Sequence, residues 1–400
     1  MIATLPAQEG ALKTAEELVA PVADQIRRTA AEAEAIRRLP DDLVRLLKDA
    51  GLFSMYTPKE FGGLDLPLPE ALRVVEEVSR HDGSTGWTVA LGLHNTVFTS
   101  VLPETSAARV LGNGAALMAA APAFGVRAMP VDGGYRLTGR WAYNSGAPNA
   151  DWIVIPAPIF DGDQPRMGTG GPEMVVAFVR PAEVEVIDTW YVTGLRATGT
   201  QDLRVDNVYV PDAMAGLASM GQAGPQVRAV RESVVARIPF FTLAGLAQVP
   251  PVCLGLARRA VEEFRQLALT KQSAFGGPRL AEQVQAQVGL ARAEGLVRSA
   301  RTYWYHEVEA VWDAVVHARA FCPEDRAAAR IASLTATEQC VTAVDLLYRL
   351  AGSSAIFQSS PLERCFRDVH TAAQHLQVQE GRWETTGRVL LGLDPGSPIL

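Results

Sequence analysis

The feature that most constrains this 400-residue chain is a double change in hydrophobic period along its length. Up to about residue 118, apolar residues recur at three- and four-residue spacing, as in TAEELVAPVADQIRRTAAEAEAIRRLPDDLVRLLKDAGL, the pattern of amphipathic helices. Pro58, Gly62 and Gly63 mark a loop, after which helices are expected from about Pro69 and again from near Ser84. From about residue 119 the pattern changes. VRAMPVDGGYRLTGRWAY reads as strand, Asp-Gly-Gly turn, strand, and DWIVIPAPIF, EMVVAFVR and DLRVDNVYVP add further strands. The helical period then returns over 228–241, 252–271, 278–320, 323–350 and 362–391, with Gly276, Gly277 and Gly352 as stops. The expected organisation is α+β: a helical domain over 1–118, a β domain over 119–228 and a helical bundle over 229–400.

Composition narrows the function classes. With 48% hydrophobic and 20% charged residues, the chain has enough apolar surface for large cores and for subunit interfaces. A formal net charge of -7 and no dense basic cluster leave no electrostatic footprint for nucleic acid. Cys253, Cys322, Cys340 and Cys365 are far apart and form no CxxC pair, the pattern of reduced thiols in a cytoplasmic protein with no zinc site. Glu9, Glu16 and Glu17 do not fit a secretory signal. The uncharged stretch 238–257 is long enough to span a membrane, but Pro250, Pro251 and Gln248 favour a buried core helix.

Two of only six histidines fall within RDVHTAAQH, at His370 and His375. On a straight helix a five-residue step turns about 140°, so the two rings are expected on different faces, whereas Asp368 and His375 nearly share one. That spacing argues against a metal pair and for a single histidine lining a pocket. His370 is expected at the surface or an interface.

Helices, a β domain and a helical bundle, together with FGGLDLPLPEALRVVEEVSRHDGSTGW, GLRATGTQDLRVDNVYVP and SSPLERCFRDVH, resemble the acyl-CoA dehydrogenase superfamily across nearly the whole chain. The resemblance implies that fold, with a middle β-barrel domain and a C-terminal four-helix bundle. Two chemistries occur within it. Dehydrogenases use a glutamate base and oxidised flavin; two-component monooxygenases take reduced flavin from a separate reductase and activate oxygen. The Thr-Glu-Pro-x-x-Gly-Ser-Asp stretch of dehydrogenases is replaced here by AAAPAFGVRAMPVDGGYRLTGRW, and the position of their glutamate falls on Leu376. GRWAYNSGAPNADW resembles instead the Gly-Arg-Trp-x-Phe-x-Ser-Gly segment of the monooxygenases, with Tyr143 in place of Phe.

This implies an oxygenase component that uses reduced FMN or FADH2 with O2, passes through a C4a-(hydro)peroxyflavin, and hydroxylates a small aromatic or polycyclic substrate. An NAD(P)H flavin reductase and a homotetramer are implied partners. His94, Ser145 and His375 are the candidate catalytic residues: His375 for proton transfer or the substrate's acidic group, His94 over the substrate, Ser145 near flavin N5 or the substrate. Trp141, Asn144, Ser145, Trp190, Thr198, Lys271 and Phe275 are the candidate flavin contacts, Lys271 and Phe275 reaching a neighbouring subunit's flavin. The structural alternatives are core packing for Trp141 and Trp190, a turn for Ser145 and a helix end for His94. Two rival readings stand beside this one: an acyl-thioester dehydrogenase with Glu380 of QEG as base, and a non-catalytic relative.

Overall fold

The computed structural model describes residues 13–112, 114–168, 171–218, 234–272, 277–397 and 399–400. Five helices come first: α1 (Ala15–Ile36), α2 (Asp41–Asp49), α3 (Leu68–His81), α4 (Gly83–Thr96) and α5 (Glu104–Leu111). Thr14 opens α1 by a capping box with Glu17, and Asp82 opens α4 by accepting from the Thr85 amide. All fourteen residues of α4 are buried. Its sequence, GSTGWTVALGLHNT, carries no Asp, Glu, Lys or Arg, as a helix enclosed on every side requires.

The strands are β1 (Met118–Ala120), β2 (Val126–Val131), β3 (Gly134–Asn144), β4 (Trp152–Pro158), β9 (Met174–Val179), β10 (Glu185–Ile187), β11 (Gln201–Pro211) and β12 (Ala215–Ala218). Between β4 and β9 lie two short ladders, β5 (Phe160–Asp161) with β6 (Gln164–Pro165) and β7 (Met167–Gly168) with β8 (Gly171–Pro172). The long strands make two four-stranded sheets, ordered β1-β4-β9-β12 and β10-β11-β3-β2, joined by a bridge between Ala128 and Ile159. The β2–β3 hairpin turns at Asp132 and Gly133, as the Asp-Gly-Gly signal predicts. The expected barrel therefore takes the form of two sheets around one apolar filling.

Six helices follow: α6 (Phe240–Ala247), α7 (Pro250–Thr270), α8 (Val284–Val316), α9 (Pro323–Ala351), α10 (Pro361–Ala372) and α11 (Gly381–Leu390). Three expectations change here. The single helix over 362–391 is two helices separated by a 3-10 turn at Leu376–Val378. The helix over 228–241 is a 3-10 turn at Val234–Arg237 and then the start of α6, residues 228–233 lying outside the described chain together with the expected domain boundary at 228. The uncharged stretch straddles the junction of α6 and α7 at Gln248 and Val249, and its most apolar window is 89% buried inside the fold.

One apolar core runs from Val19 on α1 through α3, α4 and α7 to α9 and α10, so helices from the two ends of the chain share it. A second core fills the space between the sheets and includes α5. The end of α4, the end of β3 and the turn after α10 meet where these two cores adjoin.

Candidate functional site

Trp87 and His94 are seven residues apart on α4, almost two helical turns, and so lie on one face. Across from them is His375, whose ring meets Trp87 edge-on at 5.4 Å between centroids. Phe240, at the start of α6, packs on His94 at 4.8 Å, with Phe98 at 5.2 Å and Phe241 at 5.4 Å from Phe240. Residues from four separate segments thus form one aromatic wall.

Ser145 follows β3 and is buried. Its hydroxyl sits in a hydrogen-bonded row whose directions follow from elementary donor counting. Indole Nε1 of Trp87 can only donate, and it donates to Ser145 Oγ at 3.0 Å. At the other end Thr198 Oγ1 donates to the Leu195 carbonyl at 2.8 Å, so Thr198 has only lone pairs left for Thr200 Oγ1 at 2.6 Å. Thr200 therefore spends its proton on Thr198 and accepts from Ser145 at 2.9 Å. The Ser145 proton is committed to Thr200, which leaves a Ser145 lone pair as the polar feature open to a ligand.

The frame around this row is rigid. Trp141 donates to Asn144 Oδ1 at 2.7 Å, and both side chains are buried. Trp190 donates to the same Leu195 carbonyl at 3.1 Å, and the Thr198 carbonyl accepts from the Gly146 amide at 2.8 Å. Leu195, in a left-handed conformation at φ 50°, is anchored in turn by its amide donating to Asp368 Oδ1 at 2.6 Å. Tyr143 also has positive φ, 67°, and is 71% exposed; this twist turns its side chain outward and sends Asn144 and Ser145 inward.

The electrostatics favour neutral imidazoles. His94 is 1% exposed, and neither ring nitrogen has a hydrogen-bond partner among the described residues. Burial first, and His375 second, push its pKa down to about 3. His375 is half-buried, its Nδ1 accepts from the Gln377 amide at 3.4 Å, and burial and then the Arg330 charge pull its pKa down to about 4. Asp368 is driven the other way, up to about 7, by burial and by the neighbouring Asp82 carboxylate.

The remaining expected residues fall elsewhere. Lys271 caps α7 and donates to the Ala351 carbonyl at the end of α9 at 2.7 Å, so it is not part of the converging group. Phe275 lies outside the described residues. His370 is on α10 and meets Asp345 at 2.8 Å with its side chain 40% exposed, whereas His375 follows the helix as the N-cap of the 3-10 turn. The helical-wheel comparison of His370, Asp368 and His375 therefore does not apply, because the helix ends at Ala372. Glu380 is exposed at the start of α11, and no carboxylate is hydrogen-bonded to His94, Ser145 or His375 among the described residues. Trp87, Thr200, Phe240, Arg330 and Gln377 were not foreseen. Trp87 was within reach of a helical wheel drawn through His94; the others are brought together only by the tertiary fold.

Two orphaned imidazole nitrogens against aromatic rings, beside a serine lone pair of fixed direction, suit a flat heteroaromatic group that offers N–H donors and carbonyl acceptors, as a flavin does. Comparison with known proteins agrees. The family model "Acyl-CoA dehydrogenase, N-terminal domain" matches residues 7–107, and "Acyl-CoA dehydrogenase, C-terminal domain" matches residues 248–380. The chain belongs to the acyl-CoA dehydrogenase superfamily. Within this superfamily it is 29% identical to the indole-3-acetate monooxygenase of Pseudomonas putida over 95% of this chain and 94% of that protein. It is 28% identical to the FADH(2)-dependent resorcinol hydroxylase, oxygenase component, of a Rhizobium species, over 94% of each. Among solved structures, XiaF from a Streptomyces species, in complex with FADH2 and glycerol, superposes with a TM-score of 0.88 at 26% identity, covering 96% of this chain and 97% of that one.

Proposed function

We propose that this member of the acyl-CoA dehydrogenase superfamily is the oxygenase component of a two-component flavin-dependent monooxygenase that hydroxylates a small aromatic substrate. It receives reduced FMN or FADH2 from a separate NAD(P)H flavin reductase. The observation that carries the reading is the convergence of His94, Ser145 and His375 on one aromatic-walled site, with no carboxylate bonded to any of them among the described residues. The relatives named above are monooxygenases or hydroxylases over nearly their whole length.

Reduced flavin, when bound, supplies the reaction with O2 and the transfer of one oxygen atom to the substrate. The chain's own residues do the rest. The wall of Trp87, Phe98, Phe240 and Phe241 keeps water from the reacting groups and offers faces and edges to an aromatic ring. Ser145, held by Trp87 and Thr200, accepts from an N–H. His375, its Nδ1 engaged by the Gln377 amide, keeps Nε2 for proton donation, and neutral His94 holds a polar group of the substrate. Trp141, Asn144, Trp190 and Thr198 fix the segments that carry these groups. For Lys271 we propose a contact to the flavin phosphate of a neighbouring subunit by the two ammonium protons not directed at Ala351, with Phe275 beside it, in a cytoplasmic homotetramer.

The test is anaerobic loading with reduced FMN or FADH2, mixing with isotopically labelled O2, and analysis of products from indole-3-acetate, indole and resorcinol as probes. One labelled oxygen atom in a product, preceded by an absorbance transient distinct from reduced and oxidised flavin, supports the reading. Bleaching of bound oxidised flavin by an acyl thioester, with no label incorporated, overturns it in favour of a dehydrogenase using Glu380.

A further inference from the structure

Arg330 is a buried cation in the last place an apolar helix face should have one. It lies on the inner side of α9 among Ala327, Ser333 and Leu334, is 2% exposed, and has no carboxylate partner among the described residues. Two more cations, Arg382 and Arg326, stand near it, and burial first and their repulsion second pull its pKa down to about 9. An arginine is tolerated there because α6 carries Gly245, where a Cβ would collide with the guanidinium. Nη2 donates to the Phe241 carbonyl at 2.9 Å, and Nη1 donates to the Gln377 carbonyl at 3.0 Å and to Gln377 Oε1 at 2.8 Å. Nε is buried without a partner among the described residues. The fork therefore grips Gln377 by main chain and side chain together.

That grip holds the residue whose amide faces His375. The Gln377 amide points at Nδ1 of His375, so Nδ1 must present its lone pair and the ring proton must sit on Nε2. Protonating Nδ1 would oppose two donors at 3.4 Å, next to a guanidinium with no counter-ion. We propose that Arg330 and Gln377 are positioning residues that hold His375 as a neutral imidazole with its proton on Nε2, directed into the site.

The groups around His375 are consistent with this assignment. From α9 it faces Arg330; from α4, Trp87 and neutral His94; from α6 come only the aromatic rings beside His94. Asp368 on α10 is engaged by the Leu195 amide and coupled to Asp82, not to His375. Burial and the Arg330 charge both hold His375 below the ordinary imidazole range. The consequence for catalysis rests on the monooxygenase reading: His375 then acts as a fixed hydrogen-bond donor across the whole working pH range. The placement of the proton does not rest on it.

The measurement is nitrogen NMR of the full chain, without flavin, labelled at its histidines, with His375→Asn to assign the signal. The expected result is a neutral Nε2–H pattern for His375 that persists well below pH 6. In Arg330→Gln its titration moves up toward about 6.5, the ordinary imidazole value. In Gln377→Ala the positive charge remains and the two neutral tautomers mix; in Arg330→Lys the titration stays low while the tautomer loosens. An Nδ1–H pattern in the native chain overturns the proposal, as does an unchanged titration and tautomer in a folded Arg330→Gln protein. Should that variant fail to fold, a single unchanged tautomer in Gln377→Ala overturns it equally. A purely structural Arg330 would alter melting temperature without altering either signal. A failed oxygenation assay leaves the NMR result intact, so the two readings fail separately.

Discussion

His94 is the residue whose surroundings contradict its chemistry most sharply, with two buried polar nitrogens and no partner for either among the described residues. Leaving such a group unsatisfied costs about 1–3 kcal/mol, a cost that a bound ligand would relieve. His94→Phe is therefore expected to lose hydroxylation while melting at or above the native temperature at pH 8; a clear drop in melting temperature there would count against a ligand-facing His94. The pH dependence follows from the same residue. His94 and His375 have folded pKa values of about 3 and about 4, below the unfolded value near 6.5. The unfolded chain takes up these protons first, so their contribution is full above about pH 6.5 and is lost as pH falls through the folded values. Asp368, raised to about 7, contributes in the opposite sense, with stability present at low pH and lost as pH rises through 7. Removing His94 removes one contribution that grows with pH, so chemical unfolding between about pH 4 and 6.5 should show stability rising less, or falling more, with pH in His94→Phe than in the native chain. The candidate histidines and Ser145 were legible because their flanking motifs resemble a known family. The proton direction at Ser145 was not, since it depends on Trp87, Thr198 and Thr200 meeting from three parts of the chain.

At the scale of elements, periodicity located α3, α4, α7 and α9 well because each buries a wide apolar face. It failed after Ala372, where HLQVQEG retains enough apolar residues to look helical. The turn there is stabilised by a local cap, the Gln377 amide on His375, and by something no local pattern contains, the Arg330 fork on Gln377. Gly245 on α6 is part of the same arrangement, so Gly245→Ala should destabilise the fold by about 1–3 kcal/mol through overpacking against Arg330. Denaturant melts of Gly245→Ala and of Gly295→Ala provide the comparison, because a Cβ at Gly295 meets open space on the exposed side of α8. Equal midpoints in the two variants would remove Arg330 from its assigned position against α6.

For the whole molecule, the helix–strand–helix order was readable from the change of period, but the joining of the outer helices into one core was not, since the contacts between α3 and α7 bridge the entire β region. Ile356 and Phe357, beyond the end of α9, and Leu390 and Leu391, at the end of α11, are exposed apolar residues, and we propose that a tetramer covers them. Native mass spectrometry should then give four chains per particle, and a monomer at micromolar concentration would sink that assembly together with the Lys271 contact between subunits. The shared core also bears on how the protein comes into being. While the ribosome is still making the last third of the chain, α1, α3 and α4 have one another but not the full set of C-terminal helices to cover their inner faces, whereas the two sheets and α5 already hold everything their own core needs. The middle of the protein can thus close during synthesis, and its first hundred residues must wait, apolar faces open to chaperones, until α7, α9 and α10 emerge.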